Sequence, residues 1–453
     1  MKDNDIIAAI ATAHGHGAIG IVRMSGEGVL GLLKRTFLPI QKFESHKMYY
    51  GNIVDINGES IDEVMVCPML APRSYTREDT VEIYAHGGTV VLRGVLDAVL
   101  REGARLAEPG EFTKRAFLNG RINLTQAEAV MDLINVGSDA ARRAGLRQLG
   151  GGLSRRIEGL RNKILHWLAH IELSIDYPEH EEEAKTAAQI LDEGNDVIIG
   201  LEALYKTATV GRMLRDGIKT AIIGRPNTGK STLLNAILNE DRAIVHEQAG
   251  TTRDILTERV VVGNVPLLLI DTAGIRETSD PVEKIGVEKT LEATQDAELV
   301  LYVVDRSQGF AVEDKEMLKR LKGKPMILLL NKCDLPPPVS GTMVNVSFPV
   351  IELSTLTGDG LDKLYVQIHE QVLSGIGDAN NDADIITRER HRVLIEQAIS
   401  HVRTAMLEIE QGVPEDLVSV GLRAAYMALG EVLGVEVADD ILDRIFAEFC
   451  VGK

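Results

Sequence analysis

The chain has 453 residues, 45% of them apolar and 26% charged, which is ordinary for a globular protein and long enough for about three domains. A net charge of −18 excludes general attraction to nucleic acid, so any RNA contact must use a local patch. Cys67, Cys333 and Cys450 are odd in number and lack metal-type spacing, which argues for a reducing cytosol and against a disulfide framework or zinc site. The first residues lack a basic-then-apolar leader signature, and no run of about 18 apolar residues exists, so a cytoplasmic protein with no membrane span is expected.

In chain order, residues 5–24 read as strand, Gly-rich loop (His14–Gly20) and strand, with Arg23 inside the second apolar run. Met48–Ile53 and Glu63–Val66 read as strands around Asn57-Gly58, a hairpin-turn pair. Thr80–Tyr84 is a strand whose Glu82 faces either solvent or a pocket, and Thr89–Leu100 has helical apolar spacing. The mixture predicts a small α+β domain over 1–120. Ala127, Val130, Met131 and Ile134 mark an amphipathic helix, with Thr125 and Glu128 at capping-box spacing. Helical patterns then run to about 213, broken by Asp176-Tyr-Pro178 and the acidic run Glu179–Glu183.

From 101 to 163 twelve Lys/Arg stand against seven Asp/Glu, a net +5, with Arg142, Arg143, Arg147, Arg155, Arg156, Arg161 and Lys163 clustered. This is either the basic face of a helix or a phosphate-backbone patch for RNA.

Strand Thr220–Ile223, loop Gly224-Arg-Pro-Asn-Thr-Gly-Lys-Ser231 and helix Thr232–Leu238 match the phosphate-binding G-x-x-x-x-G-K-S loop in its required context. Loop N–H groups and the helix N-terminus suit an anion, Lys230 suits the β- and γ-phosphates, and the Ser231 hydroxyl suits Mg²⁺. Thr252, in Gly250-Thr-Thr-Arg-Asp254, reads as a switch threonine and second Mg²⁺ ligand; Asp271-Thr-Ala-Gly274 follows an apolar strand as the expected Mg²⁺ and γ-phosphate segment. Asn331-Lys332-Cys-Asp334 follows the strand 326–330. Its aspartate can accept from guanine N1 and N2, a donor pair that adenine lacks, so the base is guanine. A last strand, 350–353, leads to Ser354-Thr355, where GTPases usually carry Ser-Ala; the contact expected there is a backbone N–H. Ile275 stands where Ras-like GTPases carry a water-positioning glutamine, leaving Arg276, Glu277 and Glu283 as nearby candidates. Beyond the linker Asn380–Asp384, one helix carries Leu394 to Ile409. Another follows Asp439-Asp440, read as its N-cap, and the lone Cys450 reads as a small buried hydrophobe.

Several segments together resemble the tRNA wobble-uridine modification GTPases, the MnmE (also TrmE) family. They are Gly20–Gly26, Ser74-Tyr-Thr-x-Glu-Asp79, His86-Gly-Gly88, Pro109–Arg121, Gly224–Ser231, Gly250–Asp254, Asp271–Gly274 and Phe449-Cys-Val-Gly-Lys453. The match runs end to end. The resemblance implies a multidomain α/β + α protein. An N-terminal α+β domain (1–120) binds folate and dimerises, a discontinuous helical domain occupies 121–214 and 378–453, and an inserted Ras-like P-loop GTPase domain spans 215–377. It implies that the chain, as a homodimer with the flavin-dependent partner MnmG (GidA) in a heterotetramer, adds an aminomethyl-type group (carboxymethylaminomethyl or aminomethyl) to C5 of uridine 34 of certain tRNAs. The carbon would come from a reduced folate (5,10-methylene- or 5-formyl-tetrahydrofolate).

Carried over residue by residue, the folate contacts are Arg23, Glu82, Arg121 and Lys453. The nucleotide contacts are Asn227, Thr228, Gly229, Lys230, Ser231 and Thr232; His246, Glu247, Gln248, Ala249, Gly250, Thr251 and Thr252; Asp271, Thr272, Ala273 and Gly274; and Asn331, Lys332, Asp334, Ser354 and Thr355. K⁺, stimulating hydrolysis after the GTPase domains dimerise, takes a side-chain oxygen of Asn227 and carbonyls near His246, Gln248 and Thr251. Glu283 orients water as the catalytic residue, in the role that Ile275 cannot fill.

Overall fold

The computed structural model describes residues 5–13, 15, 17–176, 187–238, 258–263, 265–270, 294–338, 348–373, 384–435 and 437–453. They fall into two compact units, 1–131 with 429–453, and 132–428.

The first unit is built on a seven-stranded sheet in the order β3-β4-β5-β6-β2-β1-β7, with strands β1 (Ile7–Ile10), β2 (Ile19–Ser25), β3 (Phe37–Leu38), β4 (Tyr49–Val54), β5 (Ser60–Met69), β6 (Thr80–His86) and β7 (Arg105–Leu106). Every neighbouring pair is antiparallel except β1–β7. Period-two alternation sends Val22 and Met24 of β2, and Val81 and Ile83 of β6, into a core beneath helices α1 (Val29–Thr36) and α2 (Thr89–Arg101). The alternate residues Arg23, Glu82 and Tyr84 therefore share the opposite face. Leu32, Leu33, Val95 and Val99 are fully buried, each such side chain contributing about 1.5–3 kcal/mol.

The turn between β4 and β5 spans Asp55–Glu59 rather than the two residues Asn57-Gly58. The carboxylate of Asp55 accepts from the N–H groups of Asn57 and Glu59, and only Gly58 has positive φ.

Helices α3 (Glu111–Leu118), α4 (Leu124–Ile134) and α13 (Asp439–Ala447; α5 to α12 lie between them in the chain) close this unit, with Phe446 and Phe449 packed on Leu124 and Ala127. The box at the start of α4 is formed by Asn123 and Gln126, not Thr125 and Glu128. The Gln126 N–H donates to Asn123 Oδ1 and the Asn123 N–H to Gln126 Oε1, each at 3.0 Å, because the helix begins at Leu124, two residues before the start that a Thr125 cap implies. Likewise Ala438 is the N-cap of α13; Asp439 and Asp440 occupy its first turn, where they face the helix dipole without capping it. Cys450 is exposed, which removes the reading of a buried hydrophobe.

The second unit contains α5 (Asp139–Leu149), α6 (Gly152–Asp176), α7 (Ala187–Asp216), α11 (Glu389–Glu410) and most of α12 (Glu415–Leu433). Helices α7 and α11 pack along one another, with Leu201, Leu204, Ile395 and Val402 buried. Its sheet has the order β13-β12-β11-β8-β10-β9. The strands are β8 (Ile218–Ile223), β9 (Glu258–Val262), β10 (Val265–Ile270), β11 (Leu299–Asp305), β12 (Met326–Asn331) and β13 (Val350–Glu352); all neighbouring pairs are parallel except β9–β10. Helices α8 (Lys230–Leu238) and α10 (Leu361–Leu373) cover one face and α9 (Val312–Arg320) the other. Both faces are covered, which is why β11 reads as an unbroken apolar run. The strand order reverses at β8, the place where open parallel sheets bind ligands.

Candidate functional site

The carboxyl ends of β8, β11, β12 and β13 lie together because those strands are parallel and in register. The phosphate loop leaves β8 and enters α8. The ammonium of Lys230 donates to the carbonyls of Gly224 (2.9 Å) and Arg225 (2.7 Å), and burial holds its pKa below the ordinary lysine value. Such a partly desolvated cation is poised to exchange carbonyl partners for an anion.

Asn331, fully buried, braces the loop from β12: its Nδ2 donates to Thr228 O at 2.8 Å, while its Oδ1 accepts from the Thr355 N–H at 3.1 Å. Gly229, at φ +99°, is required here, since a Cβ would overlap Asn331 Nδ2. Lys332 Nζ donates to Asn227 O (2.8 Å) and to Asp305 Oδ2 (2.7 Å). Burial raises the Asp305 pKa, but bonds from Lys332 and Ser307 outweigh it and leave the carboxylate below its ordinary value. The Ser354 hydroxyl donates to Asp334 Oδ1 at 2.6 Å, fixing that carboxylate on an otherwise exposed loop. Asn227, Thr228, Gly229, Lys230, Ser231, Thr232, Asn331, Lys332, Asp334, Ser354 and Thr355 are thus gathered at this edge. His246–Thr252, Asp271–Gly274 with Ile275 to Glu277, and Glu283 lie outside the described residues, as do His14, His16, Pro178–Glu183 and Asn380–Ala383.

A second cluster lies on the open face of the first unit's sheet. Arg23 of β2 and Glu82 of β6 are register partners; Arg23 Nε donates to Glu82 Oε1 at 2.9 Å, with both side chains about 15% exposed. Tyr84 OH donates to Glu82 Oε2 at 2.6 Å, and burial together with that carboxylate pushes the phenol up to about 12. Cys67 of β5 is the next register partner of Glu82, and burial raises its thiol. Arg23 Nη1 donates to Gly452 O at 3.3 Å. Gly452, at φ +94°, lets the C-terminal residues lie against β1, where a Cβ would come within 2.5 Å of Ile10 O. Burial first, and the Arg23 charge second, depress the Lys453 ammonium. Tyr75 joins the remaining member: its ring lies 4.6 Å under the Arg121 guanidinium and 5.5 Å from that of Arg23, and its carbonyl accepts from Arg121. Arg23 and Arg121 therefore share the Tyr75 ring, Glu82 pairs with Arg23, and Lys453 lies within electrostatic reach of Arg23 and Glu82, although the four come from distant parts of the chain.

The family description "GTP-binding protein TrmE N-terminus" matches residues 6–121, and "MnmE helical domain" matches residues 124–450. The tRNA modification GTPase MnmE of Finegoldia magna is 47% identical over 453 residues, covering 99% of this chain and 100% of that protein. The protein of the same name from Enterococcus faecalis is 46% identical over 99% of this chain and 98% of its own, and that of Streptococcus pneumoniae 44% identical over 100% and 99%. The chain belongs to the MnmE family of tRNA modification GTPases. Among the described residues no helix is long and apolar enough to cross a membrane.

Sequence reading overlooked four contributors in this MnmE-family chain. Tyr75 lies inside the segment Ser74–Asp79 but carries no charge. Phe112, buried in Pro109–Arg121, backs Arg23 at 5.7 Å. Tyr84 and Cys67 become neighbours of Glu82 only through strand register.

Proposed function

We propose that this chain is a GTP-hydrolysing component of tRNA modification that uses a reduced folate and acts on the wobble uridine at position 34 with a flavin-dependent MnmG (GidA) partner. The observation that carries the nucleotide half is the Asn331 brace, which ties the phosphate loop to the guanine-reading segments so that one ligand can span both. Asp334 then selects guanine, and Lys230 exchanges loop carbonyls for the β- and γ-phosphates.

The residues fit the implied ions. The Ser231 hydroxyl, with Thr252, suits Mg²⁺, and Asn227, with carbonyls of His246, Gln248 and Thr251, suits K⁺. Those ions would supply the positive charge that offsets phosphate charge during transfer. Glu283 is assigned to water orientation. The domain limits 1–120, 121–214, 215–377 and 378–453, the homodimer and the cytoplasmic location belong to the same reading.

The folate half rests on the Arg23–Glu82–Arg121–Lys453 cluster. Three cations with one carboxylate suit a ligand having an anionic tail and a pterin with paired donors. A half-buried ammonium held below its ordinary pKa by burial, as Lys453 is, suits a place where a carboxylate ligand would be favourable.

The test is mass spectrometry of tRNA nucleosides from cells lacking the gene, with and without its restoration. Loss of a C5-modified wobble uridine that complementation recovers supports the reading. An unchanged nucleoside profile overturns it.

A further inference from the structure

Away from both sites, α5 and the first half of α6 carry six arginines and one lysine (Arg142, Arg143, Arg147, Arg155, Arg156, Arg161 and Lys163) against Asp139 and Glu158, a net +5 within a chain of −18. The contacts show how much of that charge is available. Arg142 and Arg143 are half exposed and share one carboxylate, Asp139, at 2.7 and 3.2 Å, so the trio keeps a positive charge. Exposed pairs of this kind hold by at most about 1 kcal/mol, too little to withhold a guanidinium from a phosphate. Arg155 is exposed, and its Nη1 donates to Gly150 O at 2.7 Å, which orders the guanidinium at the turn between the helices without neutralising it. Lys163 lies 3.4 Å from Asp196, both well exposed. Among the described residues, Asp384 is an acid that another element brings to this turn, close to Gly152.

Tyr426, from α12 far along the chain, changes the character of the face. The Arg161 guanidinium lies 3.8 Å over its ring and donates to its carbonyl, so this arginine is held flat on an aromatic surface. Arg155, Asn162 and His166 are exposed at i, i+7 and i+11, one stripe of hydrogen-bonding side chains. From Arg155 to Lys163 the stripe spans about 12 Å.

We propose that this α5–α6 face, ending at the Tyr426-backed Arg161, is where the chain takes hold of the phosphate backbone of its RNA substrate. The proposal rests on the tRNA reading above. Planar guanidinium forks match phosphate geometry, and their six-to-one excess over lysine favours a polyanion bound by paired hydrogen bonds over a diffuse charge effect. An acidic protein surface fits less well, because Leu146 and Leu165 are the large aliphatic side chains exposed among the described residues of α5 and of α6 as far as His166, against seven cations, whereas the centre of a protein interface is depleted in charge.

The test is fluorescence-anisotropy titration of the full chain with unmodified tRNA at graded salt. The quadruple variant Arg142→Ala/Arg143→Ala/Arg155→Ala/Arg156→Ala is compared with Lys315→Ala/Lys319→Ala/Arg320→Ala/Lys322→Ala, a matched loss of four exposed cations on and just after α9. The quadruple variant is expected to bind roughly tenfold or more weakly at 0.1 M salt and to lower the salt slope by about 2–3, with GTP turnover and melting temperature unchanged. The matched variant should keep wild-type slope and affinity, and replacement of the four by lysine should restore most of the slope. If the quadruple variant binds tRNA as wild type does, this surface is wrong while the tRNA reading stands. If wild type binds no tRNA, both fall. If tRNA affinity is kept but association with a protein partner is lost, the face belongs to that partner and the proposal is overturned.

Discussion

Asn331→Asp tests whether the brace at the nucleotide edge works as two directional hydrogen bonds. The substitution preserves shape and the Oδ1 that accepts from the Thr355 N–H, but it puts an oxygen 2.8 Å from Thr228 O, where an N–H had donated. One bond of about 0.5–1.5 kcal/mol is lost, and Thr228 O is left unpaired in a fully buried position at a cost of about 1–3 kcal/mol. Within those ranges a combined loss of about 2–4 kcal/mol corresponds to roughly 30- to 700-fold in the affinity that depends on the brace. Burial raises the pKa of the new carboxyl, and once protonated it can donate to Thr228 O, so the defect should shrink as pH falls. Asn331→Ala removes both bonds and has nothing to protonate. The assay is titration with a fluorescent GDP analogue from pH 5.5 to 8.5, read as the ratio of variant to wild-type affinity. The ratio should rise toward acid for Asn331→Asp and stay flat for Asn331→Ala. A wild-type affinity for Asn331→Asp at pH 8, or a ratio independent of pH, refutes the directional brace.

Other consequences follow from the first unit. Arg23→Ala should reduce calorimetric binding of 5-formyltetrahydrofolate at least tenfold, since it removes a charge-assisted contact and leaves Glu82 with Tyr84 but without its guanidinium partner; unchanged affinity takes Arg23 out of the pocket. Gly452→Ala should weaken the same binding with little change in melting temperature, because the new Cβ must push the C-terminal residues off Ile10 O; normal affinity would show that their seating does not shape the site. Glu111→Gln should cost about 3 kcal/mol near neutral pH, since the 2% exposed carboxylate accepts from Arg105, Arg115 and the Glu108 N–H. Burial raises the Glu111 pKa, but these partners outweigh it and hold it below the ordinary carboxylate value, so the stabilisation is complete above the unfolded-state pKa of about 4.3 and is lost as pH falls through the lower folded value. Thermal melts should therefore differ most near pH 6 and converge under pH 4, and a gap that persists into strong acid contradicts the ionic account.

The nucleotide edge was legible because its chemistry is local. A strand, a glycine-bounded loop and a helix start fix the phosphate site within a dozen residues, and Asn331-Lys332-x-Asp334 follows its own strand. What the sequence hid was the use of Asn331 as a brace, since its partners Thr228 and Thr355 are 103 and 24 residues away. The second cluster was legible only through family resemblance. Arg23 and Glu82 are ordinary strand residues until antiparallel register makes them neighbours, and nothing in the spacing of Tyr84, Cys67 or Gly452 announces that they join them. Capping failed for a different reason. Apolar periodicity located α4 and α13, but their starts were set by side-chain and backbone choices one residue or more away from the obvious candidates.

The run Pro109–Arg121 is one of the segments that carry the family resemblance, yet most of it builds the framework of the second cluster. Glu111 and Arg115 join Asp5, Glu78 and Arg105 in an ion-pair network that ties β1, β7 and α3 together. Gly110, at φ +69°, gives its N–H to the Cys450 carbonyl and so seats the residues that end in Lys453. Phe112 backs Arg23, and Arg121 caps Tyr75. One stretch therefore positions three of the four proposed folate contacts while contributing only Arg121 itself. A substitution such as Glu111→Gln should then disturb folate affinity and stability together, whereas Arg121→Ala should act on affinity alone, and that separation distinguishes framework from contact.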